Sequence, residues 1–308
     1  MRPVIPVACG ALVDAEGAVL IARRPSGKIA AGKWEFPGGK IEAGESAGAA
    51  LARELHEELG ITVQRARPLI RITHDYSDRT VVLDTWRVEQ WSGELHCREG
   101  QQVAWVRPEQ LHQHDLLAAD GPIVRALQLP SIYVFTPPQA NAGQVLAGVD
   151  RLPRGALLRL RLPQLADDAY ETLAQRVIER GRGLRVMLDR SVELVQRVGA
   201  AGLHLSAARV AAQESRRLPE PFLLGGSAHN AGECTALRRA GADFAVLGPV
   251  LPTATHPQSA TLGWSDFGLL ATKANLAVYA IGGVGPDDLA QAHACYAQGV
   301  AGISAYWS

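Results

Sequence analysis

From residue 131 onward the chain repeats one pattern eight times, and no other feature limits its fold as strongly. Short apolar runs occupy residues 132–136, 157–162, 184–188, 202–205, 222–225, 244–247, 277–281 and 300–304. Continuous apolar runs this short suit strands buried on both faces. Most are separated by helix-compatible stretches such as 168–180, 192–198, 234–240 and 287–297. Regular alternation of strand and helix implies a parallel sheet, and eight such units close into a compact (β/α)8 TIM barrel. The segment is shorter than the roughly 250 residues usual for that barrel, so some helices must be short or missing.

Residues 1–130 follow another rhythm. Strand-like runs at 6–14 and 19–23 flank a turn at Glu16-Gly17, and 80–90 and 103–106 supply further strands. Residues 46–59 carry apolar side chains at Ala49, Ala50, Leu51, Leu55 and Leu59, consistent with one helix that Gly60 stops. A last helix covers 121–127. This half is mixed α/β. The change in periodicity sets the boundary at Leu127-Gln128-Leu129-Pro130 and gives two domains, 1–129 and 131–308.

Composition removes several function classes. The 308 residues are 47% hydrophobic and 20% charged, enough apolar volume for two cores and too much for a disordered chain. Lys plus Arg equals Asp plus Glu at 31 each. A chain without basic excess lacks what binding to polymeric nucleic acid requires, although a mononucleotide remains open. The cysteines Cys9, Cys97, Cys234 and Cys295 form no C-x-x-C pair, which fits thiols in a reducing compartment better than a disulfide frame or zinc site. The apolar N-terminal run is short and interrupted by Pro6, so it reads as a strand and not a signal peptide. No stretch reaches the ~18 to 20 apolar residues of a membrane span, so the expectation is a cytoplasmic protein with no membrane partner.

The chemistry concentrates between Gly39 and Ile61. Glu54, Glu57 and Glu58 stand at i, i+3 and i+4, which places three carboxylates on one helical face. Like charges so close destabilise a helix unless something offsets them. Divalent cations with a taste for hard oxygen ligands, Mg2+ with Mn2+ as the alternative, are the natural answer. Arg53, four residues before Glu57, can hold one carboxylate in orientation. The plainer alternative is a solvated acidic face. Against it stands the lead-in Trp34-Glu35-Phe36-Pro37-Gly38-Gly39, whose two glycines let backbone approach the helix closely.

These residues resemble the Nudix hydrolases, whose signature G-x5-E-x7-R-E-U-x-E-E-x-G-U, with U aliphatic, is met at every specified position from Gly39 to Ile61. The resemblance implies a Nudix α/β/α sandwich with a mixed sheet. It implies an enzyme that hydrolyses a nucleoside diphosphate linked to another moiety, with a divalent metal assisting attack of water on phosphorus. On that analogy Glu54, Glu57, Glu58, Glu99 and Gly38 would hold metal, and Glu54, Glu57 and Arg53 would form the catalytic group. Which carboxylate is the base stays open.

The flanking segments Arg23-Arg24, 34–42, 74–79 and Arg98-Glu99-Gly100-Gln101 with Trp105 resemble the MutT branch, which converts 8-oxo-dGTP to 8-oxo-dGMP and pyrophosphate in nucleotide-pool sanitation and DNA repair. The resemblance implies a nucleoside triphosphate substrate, with Arg24 on phosphate, Phe36 in the base pocket, and Arg79 and Asp120 on the substrate side. Asp120 departs from the asparagine usual in that branch. An ionised aspartate accepts from the N1 and N2 hydrogens of guanine but donates nothing to O6. Asp120 can equally be read as a cap for the helix beginning at Pro122.

Residues 131–308 resemble the thiamine phosphate synthase and TenI family. The resemblance rests on Asp189-Arg190, Gly202-Leu203-His204-Leu205-Ser206, Gly226-Ser227-Ala228-His229-Asn230, 248–255, Ile281-Gly282-Gly283-Val284 and Gly302-Ile303-Ser304. It implies a phosphorylated small molecule held by backbone N–H groups near Gly282, Gly283 and Ser304. Active synthases of that family are expected to carry Arg-x-Lys on strand two, two acidic metal-binding positions, and a lysine after T-x-T. Here Arg161-Leu162-Pro163 stands at the first and His256 follows Thr255 at the last. Only Asp189 remains of the acids, with Arg209 where another would fall. Lys273, the single lysine of this half, falls in a predicted helix. This argues against thiamine phosphate synthesis. The alternatives are a bifunctional protein whose barrel still acts in thiamine assembly, as synthase or as thiazole tautomerase through His204 or His229, and a barrel that only binds a phosphorylated ligand as a regulatory module.

Overall fold

Strand and helix positions in the first unit of the chain, Met1–Leu129, follow the burial pattern of its side chains. In chain order its elements are β1 (Val4–Leu12), β2 (Val19–Arg23), β3 (Trp34–Glu35), β4 (Gly38–Lys40), α1 (Ala47–Leu59), β5 (Thr62–Asp75), β6 (Thr80–Ser92), β7 (Gln102–Val106) and α2 (Gly121–Gln128). The computed structural model describes residues 2–27, 29–98, 100–181, 183–212, 218–253, 258 and 260–307.

β1 runs parallel to β6 and antiparallel to β4, and β5 closes the far side, giving a mixed sheet in the order β4-β1-β6-β5. A second, antiparallel sheet has the order β3-β2-β7. α1 buries Ala50, Leu51, Leu55 and Leu59, a stripe that packs with Ala8, Leu12 and Val88 of the first sheet. Ala49, the other apolar residue named in this stretch, is exposed. Ser46 caps the helix by accepting from the Ala49 N–H at 3.3 Å, and Gly60 ends it at φ 72°, the left-handed region where glycine carries no Cβ penalty. With the apolar stripe inward, Arg53, Glu54, Glu57 and Glu58 are left outside the core.

Three strands of this unit are absent from the sequence expectation. β5 is the longest strand of the unit at 14 residues, but Arg65, Arg67 and Arg71 dilute its apolar pattern, and register shifts at Val63/Arg65, Arg65/Ala66 and Pro68/Ile70 break its period of two. β3 and β4 lie in the stretch read as a glycine-rich lead-in.

The second unit, Pro130–Ser308, is a closed barrel of eight parallel strands. These are β8 (Ile132–Phe135), β9 (Leu157–Leu160), β10 (Arg185–Leu188), β11 (Gly202–Leu205), β12 (Leu223–Ala228), β13 (Phe244–Leu247), β14 (Ala277–Ile281) and β15 (Gly299–Gly302). Each forms on one of the eight apolar runs. Outside them lie α3 (Ala142–Val149), α4 (Asp167–Arg180), α5 (Val192–Val198), α6 (Ala207–Val210), α7 (Ala231–Arg239), α8 (Gly263–Ala271) and α9 (Leu289–Ala294). α6 has 4 residues and α9 has 6, so the barrel is compact because its helices are short. Lys273 sits in the turn after α8, not in a helix.

Aromatic rings fill the barrel interior. Tyr133 meets Phe244 and Tyr279 edge-on at centroid distances of 5.5 and 5.6 Å. Space for Phe244 exists because position 225 is glycine: a Cβ there would lie 2.3 Å from the ring. Among the described residues no helix is long and apolar enough to cross a membrane.

Candidate active site

Two glycines set the carboxylate site. A Cβ on Gly38 would stand 2.2 Å from the Ala8 carbonyl oxygen, so only glycine lets β4 lie this close to β1. A Cβ on Gly39 would stand 2.2 Å from the Glu54 carboxyl, so the Glu54 head group rests directly on the β4 backbone. The Gly38 N–H donates to Glu58 Oε2 at 3.1 Å. Strand and helix are therefore joined through the acidic side chains themselves.

Arg53 gathers the rest. Its guanidinium donates to Glu45 Oε1 and Oε2 at 3.0 Å each, to Glu54 Oε1 at 2.8 Å, to Glu57 Oε2 at 3.3 Å and to the Lys40 carbonyl at 3.0 Å. Hydrogen bonding to Arg53 holds the Glu45 carboxyl below its usual range, and Glu45 followed by Glu54 pushes the Arg53 guanidinium up. Arg53, expected to hold one carboxylate in orientation, reaches Glu45, Glu54 and Glu57. One guanidinium thus serves two carboxylates of the acidic face, Glu54 and Glu57, together with Glu45 before the helix, while Glu58 accepts from Gly38.

The donor set suits a hard divalent ion. Glu54 keeps 16% and Glu57 58% of its side-chain exposure, and every candidate ligand atom is oxygen. Among the described residues no group of three His, Cys, Asp or Glu side chains is arranged as a metal cage. Mg2+ is commonly bound by one or two carboxylates together with substrate phosphates and water, so a full protein cage is not required. Glu99 lies outside the described residues.

Around the site the substrate-side candidates separate. Arg24 is ion-paired with Glu35 and donates from Nε to the Ile29 carbonyl at 2.7 Å. With Arg23, Ser26, Gly32, Gln101 and Gln102 it lines an open cavity of about 390 Å³. Gln101 reaches from this cavity to the Glu58 carbonyl at 3.4 Å. Phe36 is buried at 4% exposure, as a core residue would be. Arg79 donates to Asp78 at 2.7 Å and lies 5.2 Å from the centre of the Tyr76 ring.

Asp120 does not cap the last helix. It has helical angles of φ −84° and ψ −12° and makes no cap hydrogen bond, whereas a cap residue needs extended angles and an oxygen aimed at the helix. It is 3% exposed, and its Oδ2 has no hydrogen-bond partner. Burial, reinforced by the Glu35 carboxylate and opposed by Arg24, pushes the Asp120 carboxyl up to about 8. Glu35 was not among the sequence candidates. The signal that could have found it is its place in the lead-in Trp34-Glu35-Phe36-Pro37 just before Gly38-Gly39.

In the barrel, Gly282 and Gly283 have φ of 93° and 68°. Cβ atoms there would fall 2.6 Å from Pro249 and 2.5 Å from the Pro252 carbonyl, so both glycines pack the chain tightly. Ser304 is exposed and opens the 3-10 turn Ser304–Tyr306. Arg209 donates to the carbonyls of Asp189 and Arg190 at 2.6 and 2.7 Å. His229 is exposed and bonded to Glu233 at 2.9 Å, and His204 is fully buried. Thr255 and His256 lie outside the described residues. One basic group was missed. Arg159, on β9, is 6% exposed, stands 3.8 Å from Asp189 and covers the Phe135 ring at 5.0 Å. Its position two residues before Arg161 on an inward-facing run was the available signal.

Comparison with known proteins agrees with both halves. The family described as thiamine monophosphate synthase matches residues 132–306, and the NUDIX domain matches residues 8–126. The CTP pyrophosphohydrolase of Escherichia coli (strain K12) is 39% identical over 116 residues, covering 38% of this chain and 86% of that protein. The 8-oxo-dGTP diphosphatase of the same organism is 36% identical over 124 residues, covering 40% of this chain and 96% of that protein. A putative thiamine-phosphate synthase 2 of Aquifex aeolicus (strain VF5) is 26% identical over 184 residues, 58% of this chain and 99% of that protein. The chain thus belongs to the NUDIX family through its first unit and to the thiamine monophosphate synthase family through its barrel.

Proposed function

We propose that the first unit hydrolyses a nucleoside triphosphate to the monophosphate and pyrophosphate, with 8-oxo-dGTP as preferred substrate and Mg2+ or Mn2+ as cofactor. The observation that supports it most is the Glu54 carboxyl seated on Gly39 while Arg53 ties Glu45, Glu54 and Glu57 together. Glu54, Glu57, Glu58 and the Gly38 backbone would hold the ion, with Glu99 as a further ligand. When bound, the ion would neutralise charge on the phosphates and ease deprotonation of the attacking water. The protein's own part is orientation. Arg53 fixes the head groups of Glu54 and Glu57, either of which can accept the proton of the water, and Arg24 and Arg79 bring positive charge to the phosphate side.

Asp120 supports a purine reading. A carboxyl that keeps its proton near neutral pH offers one O–H donor and one carbonyl acceptor, as an asparagine amide does. Such a pair can donate to O6 and accept from N1–H of a guanine edge. The test is pyrophosphate release on a panel of 8-oxo-dGTP, dGTP, dCTP and CTP. The proposal expects the highest kcat/KM for 8-oxo-dGTP, and comparable turnover of all four removes the sanitising claim. A clear preference for CTP would move the chain toward its cytidine-nucleotide relative.

For the barrel we propose binding of a phosphorylated small molecule at the C-terminal ends of the strands, near Gly282, Gly283 and Ser304, without thiamine phosphate synthesis. The lone Lys273 in a turn after α8 supports the second clause, since the cationic clamp on pyrophosphate would lack a lysine. Incubation of the protein with the pyrimidine diphosphate and thiazole phosphate tests it. Formation of thiamine phosphate would restore the bifunctional reading.

A further inference from the structure

Three side chains link the closed barrel interior to its open end. Tyr133 Oη on β8 lies 2.9 Å from His204 Nδ1 on β11, and His204 Nε2 lies 3.0 Å from Ser227 Oγ on β12. Tyr133 and His204 have no exposure, while Ser227 is partly exposed near the C-terminal end of its strand. A serine hydrogen-bonded to a histidine that a third group orients has the outline of a nucleophile and its base. The direction of the hydrogen bonds decides against that role.

Among the described residues, His204 Nδ1 is the hydrogen-bond partner of the Tyr133 hydroxyl, and the Tyr133 ring packs edge-on against Phe135, Phe244 and Tyr279 with no exposure. Burial pushes the phenol up, so it keeps its proton. A buried O–H that donates to nothing costs roughly 1–3 kcal/mol, whereas a phenolic oxygen that accepts nothing is far cheaper. The hydroxyl therefore donates to Nδ1. Burial first, then Arg159 and Arg161, hold His204 well below its usual range, so the ring is neutral with one N–H. With Nδ1 accepting, that hydrogen is on Nε2 and is donated to Ser227 Oγ. Ser227 accepts from His204 and keeps its own hydrogen for a third group.

We infer that Tyr133 and His204 are positioning residues that hold Ser227 as a hydrogen-bond donor, not a nucleophile, toward an anionic oxygen of a ligand at the barrel mouth. The charge there suits an anion. Arg159, Arg161 and Arg190 stand at the ends of β9 and β10 with Asp189 as the acid near Arg159. The ligand class is a phosphorylated small molecule, so this part rests on the proposed role of the barrel.

The test uses the full chain. With 15N-labelled histidine, NMR should show His204 neutral at pH 7 with its hydrogen on Nε2 and Nδ1 unprotonated. A hydrogen on Nδ1 overturns the inference whatever the barrel binds. Titration calorimetry with thiamine phosphate should show Ser227→Ala weakened about tenfold, Tyr133→Phe weakened to a similar degree with its His204 tautomer redistributed, and Ser227→Thr near the unmodified protein. Because the two losses share one chain of hydrogen bonds, the double variant should be no weaker than the worse single one. If Ser227→Ala weakens binding and Tyr133→Phe changes neither affinity nor tautomer, the positioning role is overturned. If the unmodified protein binds neither thiamine phosphate nor inorganic phosphate in the barrel, the anionic-ligand role falls, while the NMR result still decides the donor assignment.

Discussion

Replacing Asp120 with asparagine should stabilise the first unit, and the gain should grow with pH. Asp120 is 3% exposed with an unpartnered Oδ2, and its carboxyl is raised from 3.8 to about 8, chiefly by burial and then by Glu35. A group raised in the folded state contributes stability that is fully present below its unfolded value and is lost as pH rises through its folded value. Each pH unit between those limits removes about 1.4 kcal/mol from the aspartate protein and nothing from the asparagine protein. Between pH 5 and 8 the advantage of Asp120→Asn should therefore widen by up to about 4 kcal/mol, less whatever water entering the site returns, and level off above about pH 8. A two-unit chain does not unfold as one transition, so the assay must be local. Amide hydrogen exchange of α1 and β6 against urea, at pH values from 5 to 9, reads unfolding of Met1–Leu129 alone. An advantage flat to within about 0.5 kcal/mol across that range would refute the reasoning, because it would mean that Asp120 is solvated or paired in the folded protein.

Substitutions at three further positions probe the remaining features. Arg53→Ala should lower kcat by about 10²-fold through misplaced head groups, and Arg53→Lys should fail to rescue it because a point charge cannot hold Glu45 in two bonds while reaching Glu54 and Glu57; steady-state kinetics decides this. Gly39→Ala places a Cβ 2.2 Å from the Glu54 carboxyl, and its backbone is not left-handed, so activity should drop while amide exchange protection of α1 and β6 stays nearly unchanged. Gly225→Ala should destabilise the barrel by roughly 1–3 kcal/mol through the clash with Phe244, read as lost exchange protection in β12 and β13, with pyrophosphate release by the other unit retained.

The features legible in the sequence are those written in local periodicity. The eight barrel strands and α1 announce themselves because each is a short, mainly apolar run or a single buried stripe with a glycine after it. β5 escapes because arginines and bulges scramble its alternation, and β3 and β4 are too short to show a period at all. The reaction class is legible from spacing, since Glu54, Glu57 and Glu58 share a face wherever that helix forms. How the carboxylates are held is not, because Arg53 reaches back to Glu45 and Lys40 across a loop and could have taken several rotamers. The surroundings of Asp120 are set by the tertiary fold: the charges of Glu35 and Arg24, far from it in sequence, act on its carboxyl, and a cap reading was equally consistent with its neighbours in sequence. Arg159 was overlooked because it and Arg161, two residues apart, share one face of an extended run, so alternation alone does not choose between them.

The central claim is that the carboxylates of α1, gathered by Arg53 and seated on Gly39, cleave a nucleoside triphosphate with the help of a divalent ion. Phosphorus NMR of 8-oxo-dGTP turned over in the presence of Mg2+ tests it most directly. Equal amounts of monophosphate and pyrophosphate are expected, with no reaction in excess chelator and near-complete loss in Glu57→Gln. Release of inorganic phosphate with a nucleoside diphosphate, or turnover that survives chelator and Glu57→Gln, would contradict it.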